Sequence, residues 1–326
     1  MKMTPLYPLK FEPILVSKVW GGRRLAQWGK KLPQDQKIGE SWEVSDRRGA
    51  RSIIANGPLR GHTLHELVIK RGPELLGEEV ARNFPDRFPL LIKLIHARRD
   101  LSIQVHPDSE KARLFSGEPN GKTEAWYILE ARPNARMIYG LKRSVTKEQL
   151  EKAIEENRVP QVARRVSVQK GDCLFVKPGT VHTIGAGILL AEVQENSDTT
   201  YRLFDWQRKQ TKKRKLHIKE SLGSIDFADQ QPLVKRANAA SHRKLACCEH
   251  FCMELHHGHF ESSIEQFQGI TVVAGRGKIL YGDKLKETCP IRRGETLVIP
   301  ASLKRYAVTG GDQLELLLWG SNRMPR

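Results

Sequence analysis

Two stretches of the chain share one pattern, and together they indicate the fold. The first is Lys170-Gly-Asp-Cys-Leu-Phe-Val-Lys-Pro-Gly179, and the second is Arg293-Gly-Glu-Thr-Leu-Val-Ile-Pro-Ala301. In both, a basic residue and a glycine precede an acidic residue, and a short apolar run then leads to a proline. Glycine turns that lead into short apolar runs are typical of β-strands. The repeat therefore indicates two related β units in one chain.

This order of turn, strand and proline is typical of a cupin-type double-stranded β-helix, in which the strand ends at a metal or substrate site. In the first copy His182 follows Pro178 by four residues, whereas the residue four after Pro300 is Lys304. We predict a mainly β fold of two cupin-like jelly-roll barrels with a small helical portion. Only the first barrel is expected to keep a metal.

The domain boundary is predicted from composition, because Pro, Lys, Arg and Gln replace the apolar periodicity between about 205 and 240. We expect a catalytic barrel at residues 1–236 and a second β domain without metal at 237–326. Helices are predicted near 63–84, which opens with a capping box, and near 146–156. Strands are predicted at Ser41–Ser45, Arg51–Ala55, Leu90–Ile95, Ala125–Leu129 and Cys173–Val176.

Composition and charge limit the class of protein. The 326 residues include 55 Lys and Arg against 37 Asp and Glu, and the net charge of +18 favours an anionic partner. The basic run Arg208–Lys215 lacks interleaved aromatic residues, so it is predicted to be a solvated loop. No apolar stretch approaches the ~20 residues of a membrane span, and the N-terminus lacks an export signal. We expect no nucleic-acid or membrane partner, a cytoplasmic location, and a monomer or weak homo-oligomer.

Cysteine usage agrees with that location. The five cysteines are odd in number, and their spacing fits neither a disulfide framework nor a structural zinc site. Reduced and mostly buried thiols are therefore predicted.

Coordinating side chains are concentrated in three segments of the first unit. Gln104 and His106 are two residues apart on a predicted strand, so both point to one face. Glu124 precedes another strand, and His182 follows the Pro178 turn. Two imidazoles, a carboxylate and an amide oxygen make a ligand set for catalytic zinc, although Fe(II), Mn(II) and Co(II) also suit it.

Longer motifs around these residues resemble those of type I phosphomannose isomerases in their short bacterial form. The likeness covers most of residues 8–206 and continues more loosely to the end. Its segments are Trp20-Gly-Gly22, Gly39-Glu-Ser-Trp-Glu-Val-Ser-Asp46, Leu101-Ser-Ile-Gln-Val-His-Pro-Asp108, Gly121-Lys-Thr-Glu-Ala-Trp-Tyr127, Pro178-Gly-Thr-Val-His-Thr-Ile-Gly-Ala-Gly187 and Glu192-Val-Gln-Glu-Asn-Ser-Asp-Thr-Thr-Tyr-Arg-Leu-Phe-Asp-Trp206.

The resemblance implies an aldose–ketose isomerase that interconverts mannose 6-phosphate and fructose 6-phosphate through a cis-enediol. It implies one zinc ion per chain, with a sugar phosphate as the small-molecule partner. The implied zinc ligands are Gln104, His106, Glu124 and His182. The implied catalytic residues are Glu192, Lys122 and Arg202, and the expected substrate-binding residues are Ser102, Arg99, Lys93 and Trp20.

Some assignments stay open at the level of sequence. Glu192 is the leading candidate for the base that moves the proton, but Lys122 and a metal-bound water are alternatives. Longer family members carry a further basic residue after the Arg202 motif, to which neither Lys209 nor Lys212 can be aligned.

Three further hypotheses compete with the isomerase, and one of them is nucleic-acid binding through the basic run near 212–215, which predicts a steeply salt-dependent affinity for polyanions. A metal cupin with other chemistry, such as an Fe(II) dioxygenase, would share the two histidines and the carboxylate. A non-catalytic sugar-phosphate-binding protein would share the barrel. The cluster His256, His257 and His259 lies in the second unit, and we predict that these residues bind no metal.

Overall fold

The computed structural model describes residues 4–211, 214–238, 240 and 242–321, and these form two β-barrels with short helices. Lys212 lies outside the described residues. No helix of the described chain is both long enough and apolar enough to cross a bilayer.

The strands before residue 205 are short and are interrupted by the helices. They are β1 (Leu9–Lys10), β2 (Ile14–Gly22), β3 (Ile38–Val44), β4 (Asp46–Arg47), β5 (Ala50–Arg51), β6 (Leu90–Ala97), β7 (Ile103–Val105), β8 (Glu124–Ala131), β9 (Arg136–Leu141), β10 (Ala163–Ser167), β11 (Cys173–Val176), β12 (His182–Thr183), β13 (Ile188–Glu195) and β14 (Tyr201–Phe204).

The later strands follow one another almost without helices. They are β15 (Leu233–Lys235), β16 (His242–Cys247), β17 (Cys252–His257), β18 (Phe260–Ser263), β19 (Gln268–Ala274), β20 (Arg276–Tyr281), β21 (Glu287–Arg292), β22 (Thr296–Ile299), β23 (Arg305–Gly310) and β24 (Glu315–Gly320).

The helices lie mainly around the first barrel. The α-helices are α1 (Leu64–Leu76), α2 (Glu78–Asn83), α3 (Ser109–Ser116), α4 (Lys147–Glu155), α5 (Val159–Val162) and α6 (Ile218–Ser224). Short 3-10 helices span Arg24–Trp28, Asp283–Leu285 and Ala301–Leu303.

Each barrel consists of a large and a small antiparallel sheet. In the first barrel the large sheet has the order β15-β11-β8-β13-β6-β3-β2, and the small sheet has the order β10-β9-β12-β7-β14. In the second barrel the corresponding orders are β1-β22-β19-β24-β17-β16 and β18-β23-β20-β21. The two barrels predicted from the repeated turn are confirmed. The repeated strands β11 and β22 also occupy the same place, next to the edge of the large sheet.

Alternation along the strands of the large sheets builds three cores. On β8, Trp126 and Ile128 point into the first barrel, whereas Tyr127 and Leu129 pack against the second barrel. Trp319 of β24 belongs to the same inter-barrel core. Both large sheets are therefore buried on their two faces, which explains why their strands read as nearly continuous apolar runs.

The domain boundary between residues 236 and 237 stays a prediction. Strand pairing shows to which barrel the segments on either side of it belong. Strand β15 pairs with β11 of the first barrel, whereas β16 pairs with β17 of the second. The N-terminal strand β1 pairs with β22, so a piece of the first segment completes the sheet of the second barrel.

The segment predicted to be helical near 63–84 contains α1 and α2, which Gly77 separates, and the segment near 146–156 contains α4. The Thr63 and Thr146 side chains accept hydrogen bonds from backbone N–H groups in capping boxes. The strand predicted at Arg51–Ala55 is wrong beyond Arg51. Ile53 and Ile54 make only isolated bridges to different partners, so no continuous ladder forms.

The prediction that all thiols are reduced is also wrong for one pair. Cys247 and Cys252 lie directly opposite each other on β16 and β17, and the structure joins them in a disulfide. Cys173 and Cys289 are free and buried, and Cys248 is free and half-buried.

Candidate active site and metal centre

The polar site occupies one end of the first barrel, where inward-facing positions change from apolar to charged. On β8 the inward series runs from Ile128 and Trp126 to Glu124, and on β13 Glu192 continues the series begun by Leu190. Because antiparallel pairing aligns these strands, their polar inward positions lie side by side.

Three coordinating side chains meet at this end. His106 Nε2 lies 3.5 Å from Glu124 Oε2, and His182 Nε2 lies 3.5 Å from Glu124 Oε1. Potential ligand atoms of the three residues all lie within 4.8 Å of one another, and all three residues are buried. The structure thus brings together segments that are up to 76 residues apart in the chain (182 minus 106).

The turn before His182 depends on a glycine. Gly179 has φ of +80°, a conformation that side chains disfavour, and its backbone N–H donates to the His106 carbonyl at 2.8 Å. This bond ties the His182 turn to the strand that carries His106. The two imidazoles consequently lie with ring centroids 4.7 Å apart.

Backbone carbonyls fix the tautomer of both histidines. His106 Nδ1 donates to the Thr199 carbonyl at 2.8 Å, and His182 Nδ1 donates to the Thr180 carbonyl at 2.9 Å. Each Nε2 is therefore the unprotonated nitrogen that faces Glu124. Burial lowers the pKa of His182 to about 4, and burial together with the Lys122 ammonium lowers the pKa of His106 well below its usual value. Both rings are neutral at pH 7.

These donors fit a divalent metal ion. Glu124 Oε1 is buried and accepts no hydrogen bond from the described residues. Burial raises the pKa of Glu124 to about 8 even though the ammonium of Lys122, 2.9 Å from Oε2, lowers it. This carboxylate would therefore gain from a further cation, and two neutral imidazoles with a carboxylate are a suitable set for one.

Gln104 lies beside this cluster. Its Nε2 is 3.2 Å from His182 Nε2, and the Ser102 hydroxyl donates to its Oε1 at 3.3 Å. A half-turn of the amide would present Oε1 at the same point, so Gln104 can supply an amide oxygen as a fourth ligand. Lys122 Nζ also lies 3.1 Å from His106 Nε2.

A second buried carboxylate faces the metal-ligand cluster. Glu192 Oε1 accepts a hydrogen bond from Trp126 Nε1 at 2.9 Å, and Oε2 lies 3.2 Å from Lys93 Nζ. Burial raises the pKa of Glu192, but Lys93 and Lys122 lower it more, so the carboxyl is ionised. Lys93 also lies 3.7 Å from Asp198, and these carboxylates raise its pKa against the effect of burial.

A cavity of about 270 Å³ lies beside these groups. Arg202 and Arg214 in its lining form a basic rim. Trp20 forms part of its wall, and a Cβ at Gly39 would come within 2.5 Å of the Trp20 ring. Arg202 also lines the cavity, and its Nε is buried without a hydrogen-bond partner among the described residues. This N–H group is therefore free to donate to an oxygen of water or of a ligand in the cavity.

Most residues predicted for the site line this cavity or lie against it. Arg99 is the exception, because its side chain is exposed and it is not among the described residues that form the lining. The lining or the metal-ligand cluster contains Trp20, Lys93, Ser102, Gln104, His106, Lys122, Glu124, His182, Glu192 and Arg202.

Arg214 was missed because its basic run was predicted to be a solvated loop. Its side chain is only 14% exposed and lies in the cavity lining, where Asp205 holds it at 2.5 Å. The neighbouring His217 accepts a hydrogen bond from the Arg202 backbone N–H at 3.3 Å. In the sequence, the only hint of this role was an acidic residue, Asp205, nine positions before Arg214. The many basic residues around Arg214 made a solvated loop the more natural interpretation. Lys18, Glu40, Asp198 and Thr200 also line the cavity and were not predicted as site residues.

Several known proteins are similar to this chain in both sequence and fold. The model of the catalytic domain of type I phosphomannose isomerase matches residues 9–133. The mannose-6-phosphate isomerase ManA of Bacillus subtilis is 36% identical, with 93% of this chain and 96% of that protein covered. The mannose-6-phosphate isomerase of Streptococcus mutans is 33% identical over 97% of this chain and 98% of its own.

The structural comparison leads to the same family. The crystal structure of mannose 6-phosphate isomerase from Bacillus subtilis superposes with a TM-score of 0.84 at 29% identity, covering 96% of this chain and 99% of that one. Near-complete coverage at this identity extends the likeness through both barrels. The chain belongs to the type I phosphomannose isomerase family.

Proposed function

We propose that this chain interconverts D-mannose 6-phosphate and D-fructose 6-phosphate by proton transfer between C1 and C2. The observation that carries the proposal is a single cavity with a metal-ligand cluster and an ionised buried carboxylate at its base and arginines at its rim. These features match the two ends of a sugar phosphate, one of which must be isomerised and the other recognised as an anion.

We propose that His106, Glu124 and His182 hold one zinc ion, with Gln104 as a further ligand. When bound, zinc would supply Lewis acidity to the sugar oxygens at C1 and C2. The orientation of the two Nε2 atoms supports the ligand set, and the family's metal dependence agrees with it.

The proton transfer is assigned to Glu192. In the open-chain aldose the base removes the proton from C2, the C1–C2 double bond forms, and O1 gains a proton. This cis-enediol then loses the proton of O2 as C1 accepts one, which gives the ketose. Trp126 and Lys93 hold both Glu192 oxygens, so the carboxylate is ionised and fixed in position. Lys93 therefore acts by positioning Glu192.

Lys122 is the alternative base, and isotope exchange separates the two candidates. In D2O the Glu192→Gln variant is expected to lose both turnover and wash-in of deuterium at C2, which NMR follows directly. Wash-in that continues in Glu192→Gln but stops in Lys122→Met would move the base to Lys122.

The phosphate is assigned to the basic rim. Arg202 offers its unpaired Nε, and Asp205 holds Arg214 in the lining. Because guanidinium groups bind phosphate through paired hydrogen bonds, both suit this end of the substrate. Ser102 lies in the same lining, and Trp20 forms the wall beside the sugar. A role for Arg99 stays a prediction that the cavity does not support.

A coupled assay with mannose 6-phosphate tests the proposed function. The protein is expected to be active before chelation. Its activity should disappear when the divalent metal is removed and return when zinc is added. Full activity after complete metal removal, or no activity in the zinc-loaded protein, would contradict it. Gel filtration tests the further expectation of a monomer or weak homo-oligomer, and the cytoplasmic location stays an expectation of the same proposal.

A further inference from the structure

A second cluster of metal-ligating side chains lies in the other barrel. His242 Nε2 is 3.1 Å from Glu254 Oε2, and His256 Nε2 is 3.3 Å from the same oxygen. His242 and His256 are opposite each other on β16 and β17, with ring centroids 4.3 Å apart. Their potential ligand atoms lie within 4.8 Å of one another. Two imidazole nitrogens and a carboxylate thus converge on one point.

The spacing of these atoms matches that of ligands around one ion. Zinc binds nitrogen and carboxylate oxygen at about 2.0–2.2 Å, so two ligands of a tetrahedral site lie about 3.3–3.5 Å apart. The two nitrogen-to-oxygen distances of 3.1 and 3.3 Å are close to this value. Both distances involve Nε2, the ring atom farthest from the backbone, so small side-chain rotations can bring the three ligands around an ion.

The cluster occupies positions that correspond to the wall of the active-site cavity. In the first barrel Lys93 pairs with Glu192, and Glu40 pairs with Ile95. In the second barrel Glu254 pairs with Leu318 at the place equivalent to the Lys93 pair. His242 pairs with His256 at the place equivalent to the pair of Glu40 with Ile95. The polar cluster therefore faces the interior side of the second barrel, at its open edge.

The three side chains of the cluster differ in solvent exposure, and the most exposed one leaves a path by which an ion could enter. The side chains of Glu254 and His256 are 16% and 19% exposed, whereas that of His242 is 56% exposed. The His256 ring packs on Phe260, with centroids 4.8 Å apart, which holds the imidazole in place. The inner two ligands are thus held by packing, and the outer side remains open to solvent.

We propose that His242, Glu254 and His256 form a second divalent transition-metal site. Three protein ligands and a water would complete its coordination, and zinc is the ion with which to test it. The ion would link the open end of the β16–β17 hairpin, whose other end contains the Cys247–Cys252 pair. Of the three clustered histidines predicted not to bind metal, the proposal reassigns His256 alone.

Zinc stoichiometry tests this proposal without reference to catalysis. Chelated, metal-free protein is dialysed to equilibrium against zinc at about pH 8, where unperturbed imidazoles are neutral, and bound metal is measured by mass spectrometry. The wild type is expected to bind two equivalents. His242→Ala is expected to bind one, with the affinity of the lost site lowered more than about 100-fold because a direct ligand is removed.

Matched variants assign the loss to the cluster. His259→Ala removes an exposed histidine of the same segment and should retain two equivalents. Glu254→Gln should lose the same equivalent as His242→Ala, and both should keep the isomerase activity of the wild type. Saturation of the wild type at one equivalent, or two equivalents in His242→Ala, would overturn the proposal.

Discussion

The two barrels share one sheet order but differ in what their inward positions carry. Glu124 begins β8 opposite Val176, and Gln268 begins β19 opposite Ile299 at the same place in the second barrel. Glu124 meets two histidines, whereas Gln268 accepts a hydrogen bond from the hydroxyl of the buried Tyr306. Likewise Glu192 on β13 corresponds to Leu318 on β24.

This difference shows that the polar residues of the candidate site occupy a few inward positions of the first barrel, whereas the corresponding positions of the second barrel include buried apolar residues. The faces of the two large sheets that pack against each other are largely apolar, and the buried Lys30–Glu43 ion pair also lies between the barrels. Most residues on the inner face of the second barrel are apolar, among them Ile270 of β19 and Leu318 of β24, which pair with each other. The two barrels therefore keep one architecture although some of their inner side chains differ in chemical character.

The largest effect is expected from the metal-ligand cluster that the second barrel lacks at this place. His182→Ala should reduce isomerase activity to the background of the assay and lower the zinc content by one equivalent, because a direct ligand is lost. Coupled assay and metal analysis check both effects. The exposed His62→Ala variant serves as control. Full metal occupancy in His182→Ala would show that the ligand set is wrong.

The second largest effect is expected at Glu192, whose counterpart in the second barrel is the apolar Leu318. Glu192→Gln should lower kcat by about 100- to 10,000-fold, since a positioned base is removed. The amide is nearly isosteric but uncharged, so the buried Lys93 ammonium loses its Glu192 partner and keeps Asp198 at 3.7 Å, and thermal unfolding should move to lower temperature. A small change in kcat would contradict the assignment of Glu192 as the base.

Leu318→Ala should show the opposite behaviour. The side chain is 2% exposed in the second core, so its truncation should cost about 2–5 kcal/mol of unfolding free energy. Activity of the remaining folded protein should be near that of the wild type. Urea denaturation measures the change in stability. A large fall in kcat at full occupancy of the folded state would show that the barrels are more closely coupled than proposed.

Two arginines that share one carboxylate partner test the basic rim. Arg214→Gln should raise KM for mannose 6-phosphate about 10- to 100-fold, since a charge-assisted contact to phosphate is lost. Arg208 also pairs with Asp205 but is not among the described lining residues, so Arg208→Gln is the control. Equal effects of the two substitutions would place the phosphate elsewhere.

The smallest effect concerns His96 on β6. Burial, followed by the nearby Arg24, lowers the pKa of His96 to about 4 from an ordinary 6.5. The unfolded chain therefore binds this proton at higher pH than the folded chain does, and stability should fall as the pH decreases from about 6.5 to about 4. His96→Gln should flatten this part of the stability profile. An unchanged slope in chemical denaturation would contradict the assignment.

The sequence by itself determined the fold class, and it singled out the residues that are proposed as metal ligands. The repeated turn and strand and the alternation on β7 are local patterns, so short-range sequence is sufficient to read them. The motif at Pro178 likewise marked His182 as a candidate ligand, whereas its place beside His106 depends on the long-range hydrogen bond from the Gly179 N–H to the His106 carbonyl. The family motifs predicted the roles that are proposed for Glu192 and Arg202.

Tertiary structure alone decided which distant side chains meet. Arg214 enters the cavity because Asp205 holds it, and Leu9–Lys10 completes the sheet of the other barrel. His242 joins His256 only through the register of two strands. Each of these depends on pairing between separate segments, which residue type and local periodicity do not encode.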